Sequence, residues 1–553
     1  MATVAPQHFM HTSGETDPVW VHTDPHSNRP QFSSLPNSTS VDVCVIGSGM
    51  AGVQSAYELV KRGYSVVMLE ARNAISGETG RTSGHLASAL DDRYLEIEKK
   101  HGKEGAKLAA DSHTWALRRV GEVAKELGIE CEYRTLPGYL ISQYDRQGHG
   151  KEHDSEVKEM IMPEAEHASS VGLSAEFRRD YAIQGWDGKP DQRDAAVFQE
   201  QATFHPTKYL TGVLKWLKEQ PSFNCYTQSR VMDIQEKGVE VMGVGKKTVN
   251  VSTEAGHTVE CSHAIMATCV PLQKLSMVVE MEFMRTYCIA VKVPKNYIED
   301  CLLYDTAEDY KYIRLTECDD KNDYMIVGGC DHKVGQEQTT GRFDELESWT
   351  RERFSKAGSM DYAWSGQVYE PVDFMAFIGK NPGQKHTYIV TGDSGNGLTH
   401  AVIAGRLITD QIAGESNAWS SLYDPSRKGS LLKSAGAMLS HDLQVNAQYK
   451  RFLQSDINDI EDLVPGSGGV LNPTLKAPVA VYKDDGGKVH MFSALCPHLK
   501  GVLCWNGLEK SWDCPVHGSR FSKDGVCVQG PAKGNLAPAD ESGAQMQEKA
   551  VKG

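Results

Sequence analysis

Short apolar runs bounded by glycine and charged residues begin about forty residues into the chain. The run from Val41 to Ile46 has the length and β-branched content of a buried strand, and a second such run covers 66–69. Between them, residues 50–62 repeat apolar positions at helical spacing and end at Gly63, a typical residue after a helix C-terminus. A strand–helix–strand order over about 30 residues predicts a parallel sheet.

Further along, the apolar pattern alternates between helices and short strands. A long helix is predicted over 99–127, and another over 398–412, directly after a buried strand at 388–390. A glycine cluster at 466–469 opens a separate C-terminal module of short strands and turns. The remaining strand-like runs, which predict a mixed or antiparallel sheet, lie within 231–272 and at 288–293, 312–315 and 324–327.

Composition narrows the class of protein. The chain has 553 residues, of which 40 % are apolar, enough for a large core. Its 58 basic and 73 acidic residues give a net charge of −15, which argues against nucleic-acid or basic membrane-surface binding. No run approaches the roughly 18 apolar residues of a membrane helix. Thirteen scattered cysteines argue against a secreted disulfide framework. We therefore predict a cytoplasmic protein with reduced thiols and with no membrane or nucleic-acid partner.

The first chemical motif is G-x-G-x-x-G, placed between the first strand and its helix. Gly47 permits the tight turn, Gly49 lets the backbone approach a pyrophosphate, and Gly52 lets helix and strand pack closely. Glu70 ends the next strand, where a carboxylate accepts hydrogen bonds from ribose hydroxyls. A dinucleotide site is predicted, with these contacts: Gly47, Gly49, Met50, Ala51, Gly52, Glu70, Ala71 and Arg72.

Two further segments favour FAD over NAD. The Gly/Ser/Thr loop at 76–85 resembles the loop of D-amino-acid oxidase-like flavoproteins that runs along the FAD phosphates. The turn at 391–400, between a strand and a helix, and Ala267-Thr268 resemble that family's other FAD-contact segments, whereas an ordinary Rossmann dehydrogenase lacks them. The contacts that this resemblance implies are Thr79, Arg81, Thr82, Ser83, Gly84, His85, Val231, Ala267, Gly392, Asp393, Gly397, Leu398 and Thr399.

The second chemical motif pairs cysteine with histidine twice. Cys496 and His498 form C-x-H, and Cys514 and His517 form C-x-x-H. Two thiolates and two imidazoles are the ligand set of a Rieske [2Fe–2S] cluster, although a tetrahedral zinc site could use the same residues. The flanking sequences, with Leu499 and with 518–521, resemble Rieske ligand loops and favour the cluster as the metal group.

This Rieske-like module departs from the respiratory-chain proteins in two respects. Gly501 and Val516 stand where those proteins carry a disulfide, and Phe521 stands where they carry a tyrosine. Fewer hydrogen bonds to the cluster stabilise its reduced form less. We therefore expect a potential in the lower part of the roughly −150 to +300 mV Rieske range.

Together the motifs resemble a family of D-amino-acid oxidase-like FAD-dependent oxidoreductases fused to a C-terminal Rieske domain. The resemblance implies an α/β Rossmann-type FAD-binding domain with a mixed or antiparallel-sheet substrate domain, followed by an all-β Rieske domain. We predict an N-terminal arm at 1–39, an oxidoreductase domain at 40–427, a helical linker at 428–455, the Rieske domain at 456–545 and a tail at 546–553. Within the oxidoreductase domain, the FAD-binding parts cover about 40–110, 195–275 and 365–427. The substrate lobe covers about 111–194 and 276–364.

The resemblance implies oxidation of a small organic substrate at a C–N bond by hydride transfer to flavin, with the cluster relaying single electrons to a redox partner protein or to oxygen. Candidate catalytic residues are Arg314 as a carboxylate clamp, His332 as a base or a loop residue, and His85 as a flavin-attachment point. Three alternatives stay open: electron flow from a donor through the cluster to flavin, electron transfer without substrate chemistry, and a binding protein with vestigial cofactor sites.

Overall fold

The computed structural model describes residues 8–186, 193–238, 240–241, 244–245, 247–272, 281–336, 339–427, 448–472 and 477–539. Of the predicted helical linker, 428–447 lie outside the described residues, and Gln448–Leu453 form a 3₁₀ helix. The predicted tail at 546–553 also lies outside them.

The helices follow the predicted periodicity closely. The long helix starts at Tyr94 rather than Lys99, and non-helical backbone at Gly102 kinks its first turns. The helices are α1 (Val19–Thr23), α2 (Met50–Lys61), α3 (Tyr94–Leu127), α4 (Gly150–Glu156), α5 (Met162–Ser170), α6 (Pro206–Lys218), α7 (Arg342–Arg353), α8 (Gly397–Ala413) and α9 (Ser420–Tyr423), with a π-helical turn at Val157–Ile161 and further 3₁₀ turns at His8–Met10, His26–Asn28, Glu78–Arg81 and Ile460–Asp462.

The described strands of the first 427 residues form two large sheets and a separate two-stranded sheet of Glu240–Val241 and Val244–Gly245. They are β1 (Thr39–Ile46), β2 (Val66–Leu69), β3 (His85–Leu86), β4 (Arg134–Ile141), β5 (Ala175–Arg178), β6 (Ala195–Thr203), β7 (Phe223–Tyr226), β8 (Val231–Lys237), β9 (Glu240–Val241), β10 (Val244–Gly245), β11 (Thr248–Thr253), β12 (Thr258–Met266), β13 (Met281–Pro294), β14 (Leu302–Asp305), β15 (Tyr312–Glu317), β16 (Asn322–Lys333), β17 (Met360–Pro371), β18 (Phe377–Lys380) and β19 (Thr387–Thr391).

The first sheet contains the parallel pair that the strand–helix–strand pattern predicted. Its order is β18-β19-β12-β1-β2-β7, and β11 and β8 extend it as an antiparallel branch from β12. β1 is parallel to both β2 and β12, with Ile46 opposite Leu69 and Met266. Helices α2, α3, α6 and α8 cover one face through a continuous apolar core. The carboxyl ends of the parallel strands thus share one edge.

The second sheet is mixed, as the strand pattern predicted. Its order is β17-β13-β16-β15-β14-β4-β6-β3, with β5 beside β6, and only β14 and β4 pair in parallel among these strands of the described chain. Helix α7 packs on one face through an apolar core that includes Tyr287, Leu346 and Phe354. The other face supplies side chains to the cavity described below.

The C-terminal module consists of two small antiparallel sheets. Their strands are β20 (Ser467–Leu471), β21 (Val479–Lys483), β22 (Val489–Ser493), β23 (Cys504–Asn506), β24 (Ser511–Asp513), β25 (Arg520–Ser522) and β26 (Cys527–Gln529). Trp512, Phe521 and Cys514 lie in the core that joins the two sheets.

The N-terminal arm is more deeply packed than its polar composition indicates. Val19 and Trp20 on α1 are fully buried against β13, β16 and β17. The Trp20 indole N–H donates to the carbonyl of Thr82 at 2.6 Å. The arm therefore belongs to the folded body of the protein. Among the described residues, no helix is both long and apolar enough to span a lipid bilayer.

Candidate functional site

An open cavity, whose volume of about 1390 Å³ includes solvent at its mouth, lies where the carboxyl ends of β1, β12 and β19 face the mixed sheet. Ligands of open α/β sheets bind at this edge. Gly49, Ala267 and Gly392 line one side, and Thr286 and Asp331 of the mixed sheet line the other. The structure thus brings the three predicted cofactor-binding segments to one place.

The glycine-rich turn is as tight as its sequence requires. Gly47 has φ +103°, and a Cβ there would lie 2.3 Å from the carbonyl oxygen of Ala267. A Cβ on Gly52 would lie 1.9 Å from the Gly47 carbonyl oxygen. Gly49, Met50 and Ala51 line the cavity at the start of α2, where first-turn N–H groups and the helix dipole favour a phosphate.

Residues at the end of β2 mainly hold this turn together. The Glu70 carboxylate accepts from the Ser48 N–H at 3.0 Å, the Ser48 hydroxyl at 2.7 Å and the Arg72 N–H at 2.9 Å. The buried Arg72 guanidinium donates to the Phe9 carbonyl in the arm. Ala71 is half-buried, and Val231 is buried at the start of β8.

The predicted loop after β2 forms one wall of the cavity. His85 is neutral near pH 7, because burial, and then the charge of Arg314, lowers its pKa to about 3. Its Nε2 lies 3.1 Å from the Ile313 carbonyl and its Nδ1 3.0 Å from the Ser83 hydroxyl, so both nitrogens have partners. Gly84 is buried behind this wall. The lining residues of the loop are Thr79, Arg81, Thr82, Ser83 and His85.

The second turn brings a helix N-terminus to the opposite wall. Gly392, Asp393, Gly397 and Leu398 line the cavity, and α8 begins there without a side-chain cap from its N-cap residue. Thr399 lies behind the lining, where its hydroxyl donates to the Asn396 carbonyl at 3.1 Å. Uncapped first-turn N–H groups stabilise negative charge in a bound ligand.

Two candidate catalytic residues lie outside the cavity lining. The Arg314 guanidinium, predicted to grip a carboxylate, donates instead to the backbone carbonyls of Gly84, Phe204 and Leu315 at 2.7–3.1 Å. His332 lies on strand β16 rather than in a loop, and its Nε2 is 2.9 Å from the Tyr287 hydroxyl. Both side chains are buried and connect structural elements.

The cavity also contains acidic and tyrosine side chains that the motif analysis missed. Tyr310 and Tyr312 are two residues apart near the start of β15, a spacing that places side chains on one face of an extended chain. Because these residues come from separate segments of the chain, only the packing of the two sheets brings them together. The members of this group are Asp91, Tyr304, Tyr310, Tyr312, Asp331 and Glu370.

The four predicted metal ligands converge from two loops of the C-terminal module. The rings of His498 and His517 are 5.1 Å apart. The Cys496 and Cys514 thiols are in hydrogen-bond contact; this contact, with backbone N–H donors from His498 and Leu499, lowers the pKa of Cys496 to about 7. N–H groups directed at sulfur stabilise thiolate ligands. The donor set fits a Rieske cluster.

The positions where other Rieske proteins carry a disulfide are adjacent in space here. A Cβ on Gly501 would lie 3.3 Å from the Cβ of Val516 and 3.3 Å from the Cys514 sulfur. All thirteen cysteines are free thiols in the structure. Packing of Gly501 against Val516 therefore takes the place of a covalent link between the ligand loops.

The C-terminal module is fixed to the cavity wall by a buried ion pair. Glu509 pairs with Arg81, and neither side chain is exposed. The carboxylate also accepts from the Ser365 and Thr16 N–H groups, at 3.1 and 3.0 Å. Burial opposes ionisation of Glu509, but the charges of Arg81 and Arg520 outweigh it and hold the pKa of this carboxyl below its usual range.

A second set of contacts connects the ligand loop directly to the cavity. The ring of His517 is 6.1 Å from that of Phe283, which in turn is 5.6 Å from the ring of Tyr369. The Gln367 amide donates to the carbonyl of Gly518 at 2.9 Å. Tyr369 and Gln367 both line the cavity. Two ring contacts therefore separate a metal ligand from the cavity.

Models of known protein families match both parts of the chain. The model of the FAD dependent oxidoreductase family (DAO) matches residues 42–411, and that of the Rieske [2Fe-2S] domain matches residues 458–540. The chain belongs to this family of FAD-dependent oxidoreductases and carries a C-terminal Rieske domain. Its cofactors are FAD and a [2Fe–2S] cluster, and the predicted fold class and enzymatic nature are confirmed.

Similar proteins span one or both parts. The Rieske 2Fe-2S iron-sulfur protein YhfW of Bacillus subtilis (strain 168) is 26 % identical over 533 residues, covering 96 % of this chain and 98 % of the relative. Gamma-glutamylputrescine oxidoreductase of Escherichia coli (strain K12) is 26 % identical over 394 residues, covering 70 % and 86 %. The crystal structure of glycine oxidase from Geobacillus kaustophilus shares the fold, with a TM-score of 0.58 at 14 % identity, covering 70 % and 99 %.

The role of the glycine-rich turn in FAD binding can be tested by adding one methyl group to a glycine. We expect Gly52→Ala to weaken FAD binding by about tenfold or more, because its Cβ would meet backbone that cannot move without opening the turn. Flavin absorbance per mole of purified protein measures the loss. Gly77→Ala is the control, since no atom lies within 4 Å of its added Cβ. Equal flavin content in both variants would contradict the prediction.

Proposed function

We propose that this enzyme oxidises the C–N bond of a small organic amine and passes the electrons singly to an acceptor outside the flavin site. When bound, FAD supplies a two-electron acceptor for hydride, and the [2Fe–2S] cluster supplies a one-electron carrier. The substrate carbon loses a hydride, and the neighbouring nitrogen, neutral after losing any extra proton to solvent, forms the C=N bond of an iminium ion. The acceptor is a redox partner protein or oxygen.

The observation that carries the proposal is the contact between the cluster-ligand loop and the cavity wall. His517, Phe283 and Tyr369 form an unbroken series of ring contacts of 6.1 and 5.6 Å. Electron tunnelling falls steeply with distance, so the close packing of these rings suits transfer between the two cofactor sites.

The side chains around the cavity support chemistry that needs no strong protein base. His85 is neutral and hydrogen-bonded through both nitrogens, so it orients the loop rather than accepting a proton. The first turn of α8 stabilises the negative charge that accompanies reduction in the cavity. An amine that binds with a free lone pair can lose hydride under these conditions.

The direct test is anaerobic mixing of the holoenzyme with primary and secondary amines. We expect flavin bleaching, followed by the electron paramagnetic resonance signal of the reduced cluster. The proposal would be overturned if no amine bleached the flavin and if an external donor reduced first the cluster and then the flavin. That result would favour a reductase.

The relay can be tested separately from substrate oxidation. We expect Phe283→Leu to slow cluster reduction after flavin reduction by about tenfold, equivalent to about 1.4 kcal/mol in the barrier, because the ring contact to His517 is lost. Stopped-flow absorbance resolves the two phases, and flavin reduction itself stays unchanged. The matched control is Phe343→Leu, whose ring contacts Tyr287 instead. Identical second-phase rates in the two variants would rule out this route.

A further inference from the structure

The acidic, tyrosine-rich part of the cavity points to a more specific substrate class. We infer that the enzyme selects an amine that carries a second, cationic nitrogen over an amino acid that carries a carboxylate. Asp331 and Asp91, among the cavity tyrosines, hold this positive charge, while the nitrogen beside the oxidised carbon is neutral. This inference rests on the proposed function, since it names the substrate of the same site.

The charges of the lining favour a cation. Among the described residues that line the cavity, Arg81 is the only arginine or lysine, and its guanidinium is committed to Glu509, Ser365 and Thr16. The lining histidines add no charge near pH 7, because burial lowers the pKa of His85 to about 3 and that of His400 to about 4.

Two buried polar atoms face this region without a partner. Oδ1 of Asp331 and the hydroxyl of Tyr304 are inaccessible to solvent and have no hydrogen-bond partner among the described residues. An unsatisfied buried carboxylate oxygen costs free energy unless a ligand supplies the missing donor. An ammonium group bound beside Asp331, with three N–H donors, supplies both the missing donor and the counter-charge of this carboxylate.

Asp91 is a second carboxylate in the lining of the cavity. Asp91 accepts from the Tyr310 hydroxyl at 2.8 Å. Burial raises the pKa of Asp331 to about 7 and that of Asp91 to about 6. Hydrogen bonds from Thr286 and Tyr310, and the charges of Lys311 and Arg93, offset this effect only in part. Lys311 acts on Asp331 from a distance, but its Nζ lies 3.2 Å from Asp309 and 3.3 Å from Glu345.

The tyrosine rings complete a site for an alkylammonium ion. The rings of Tyr310 and Tyr312 are 5.5 Å apart, and His85 lies 5.6 Å from Tyr304. Aromatic faces attract cations and pack against methylene groups at the same time. Because Arg314 is directed at backbone carbonyls, a substrate carboxylate here would meet carboxylates instead of a guanidinium.

The test compares two ligands of equal length that differ at one end. Calorimetric titration of the pre-reduced, anaerobic holoenzyme measures binding without turnover. We expect the Kd of 1,4-diaminobutane to be at least about tenfold lower than that of 4-aminobutanoate, and Asp331→Asn to remove this preference. Asp91→Asn, the second variant, reduces the same preference for the diamine. Asp320→Asn, at an exposed carboxylate in the turn after β15, leaves it unchanged.

The outcomes separate this inference from the proposed function. Equal affinity for the two ligands in the unmodified enzyme, or a preference that survives both Asp331→Asn and Asp91→Asn, overturns the inference. If 4-aminobutanoate binds and bleaches the oxidised flavin as readily as the diamine, the inference fails while C–N oxidation stands. If the diamine binds selectively but no amine bleaches the flavin, the inference stands and the proposed function fails.

Discussion

Replacing Glu509 with glutamine is expected to loosen the Rieske domain from the flavin domain. The substitution leaves the guanidinium of Arg81 buried without its counter-charge. Removing one partner of a buried pair costs about 3–5 kcal/mol. We expect the midpoint of urea unfolding to fall accordingly and protease cleavage between the two domains to accelerate. Electron transfer from flavin to cluster slows as well, because the ligand loop no longer stays against Phe283 and Tyr369.

The effect of this variant depends on pH in a defined direction. Glu509 has a lower pKa in the folded protein than in the unfolded chain, so its stabilising contribution is fully present above about pH 4.3 and declines as the pH falls further. The stability difference between the variant and the unmodified protein therefore shrinks in acid. Glu461→Gln, at a carboxylate 89 % exposed in the same domain, is the control. Equal unfolding midpoints for the two variants would show that the ion pair does not fix the interface.

Replacing Cys496 with serine is expected to abolish the cluster while leaving the flavin in place. Its thiol faces Cys514 and receives backbone N–H donors, the arrangement of a metal-bound thiolate. We expect complete loss of the cluster's paramagnetic resonance signal and of its iron. Substrate still bleaches the flavin in a single turnover, whereas turnover with a one-electron acceptor falls by about tenfold or more, equivalent to at least about 1.4 kcal/mol.

The neighbouring Cys504 provides the matched control for this experiment. Its thiol donates to the carbonyl of Gly335 at 2.9 Å, a contact that a serine hydroxyl can replace. Cys504→Ser should therefore keep the cluster. Loss of iron in both variants would indicate that folding of the domain, rather than ligation, is affected; retention of the signal in Cys496→Ser would contradict the assigned ligand.

Motifs with local geometry could be recognised from the sequence alone. The turn at 47–52 requires glycine because backbone atoms approach within about 2 Å of a Cβ position, and such a requirement leaves a visible pattern. The same holds for the paired cysteines and histidines, whose spacing follows from two short ligand loops. The parallel sheet followed from the alternation of strand and helix.

Side chains that meet across distant elements left no such pattern. Arg314 was expected to face a substrate, yet its surroundings are carbonyls from three separate segments, which no spacing reveals. Asp331 and Asp91 are 240 positions apart, and only the packing of the mixed sheet on the cavity brings them together. No local pattern marks Glu509 as buried, because its partners Arg81, Thr16 and Ser365 lie at least 144 positions earlier in the chain.

The N-terminal arm forms hydrogen bonds with residues of the Rieske domain, far later in the sequence. Thr16 donates to Glu509 across 493 residues, and Arg520 donates to the carbonyl of Ser13 across 507. During synthesis, the arm leaves the ribosome well before Glu509 and Arg520, so these contacts must wait for the later part of the chain. Closing so long a loop is an entropically costly, late event. The junction between the two redox domains is therefore completed last, after each domain has had time to form its own core.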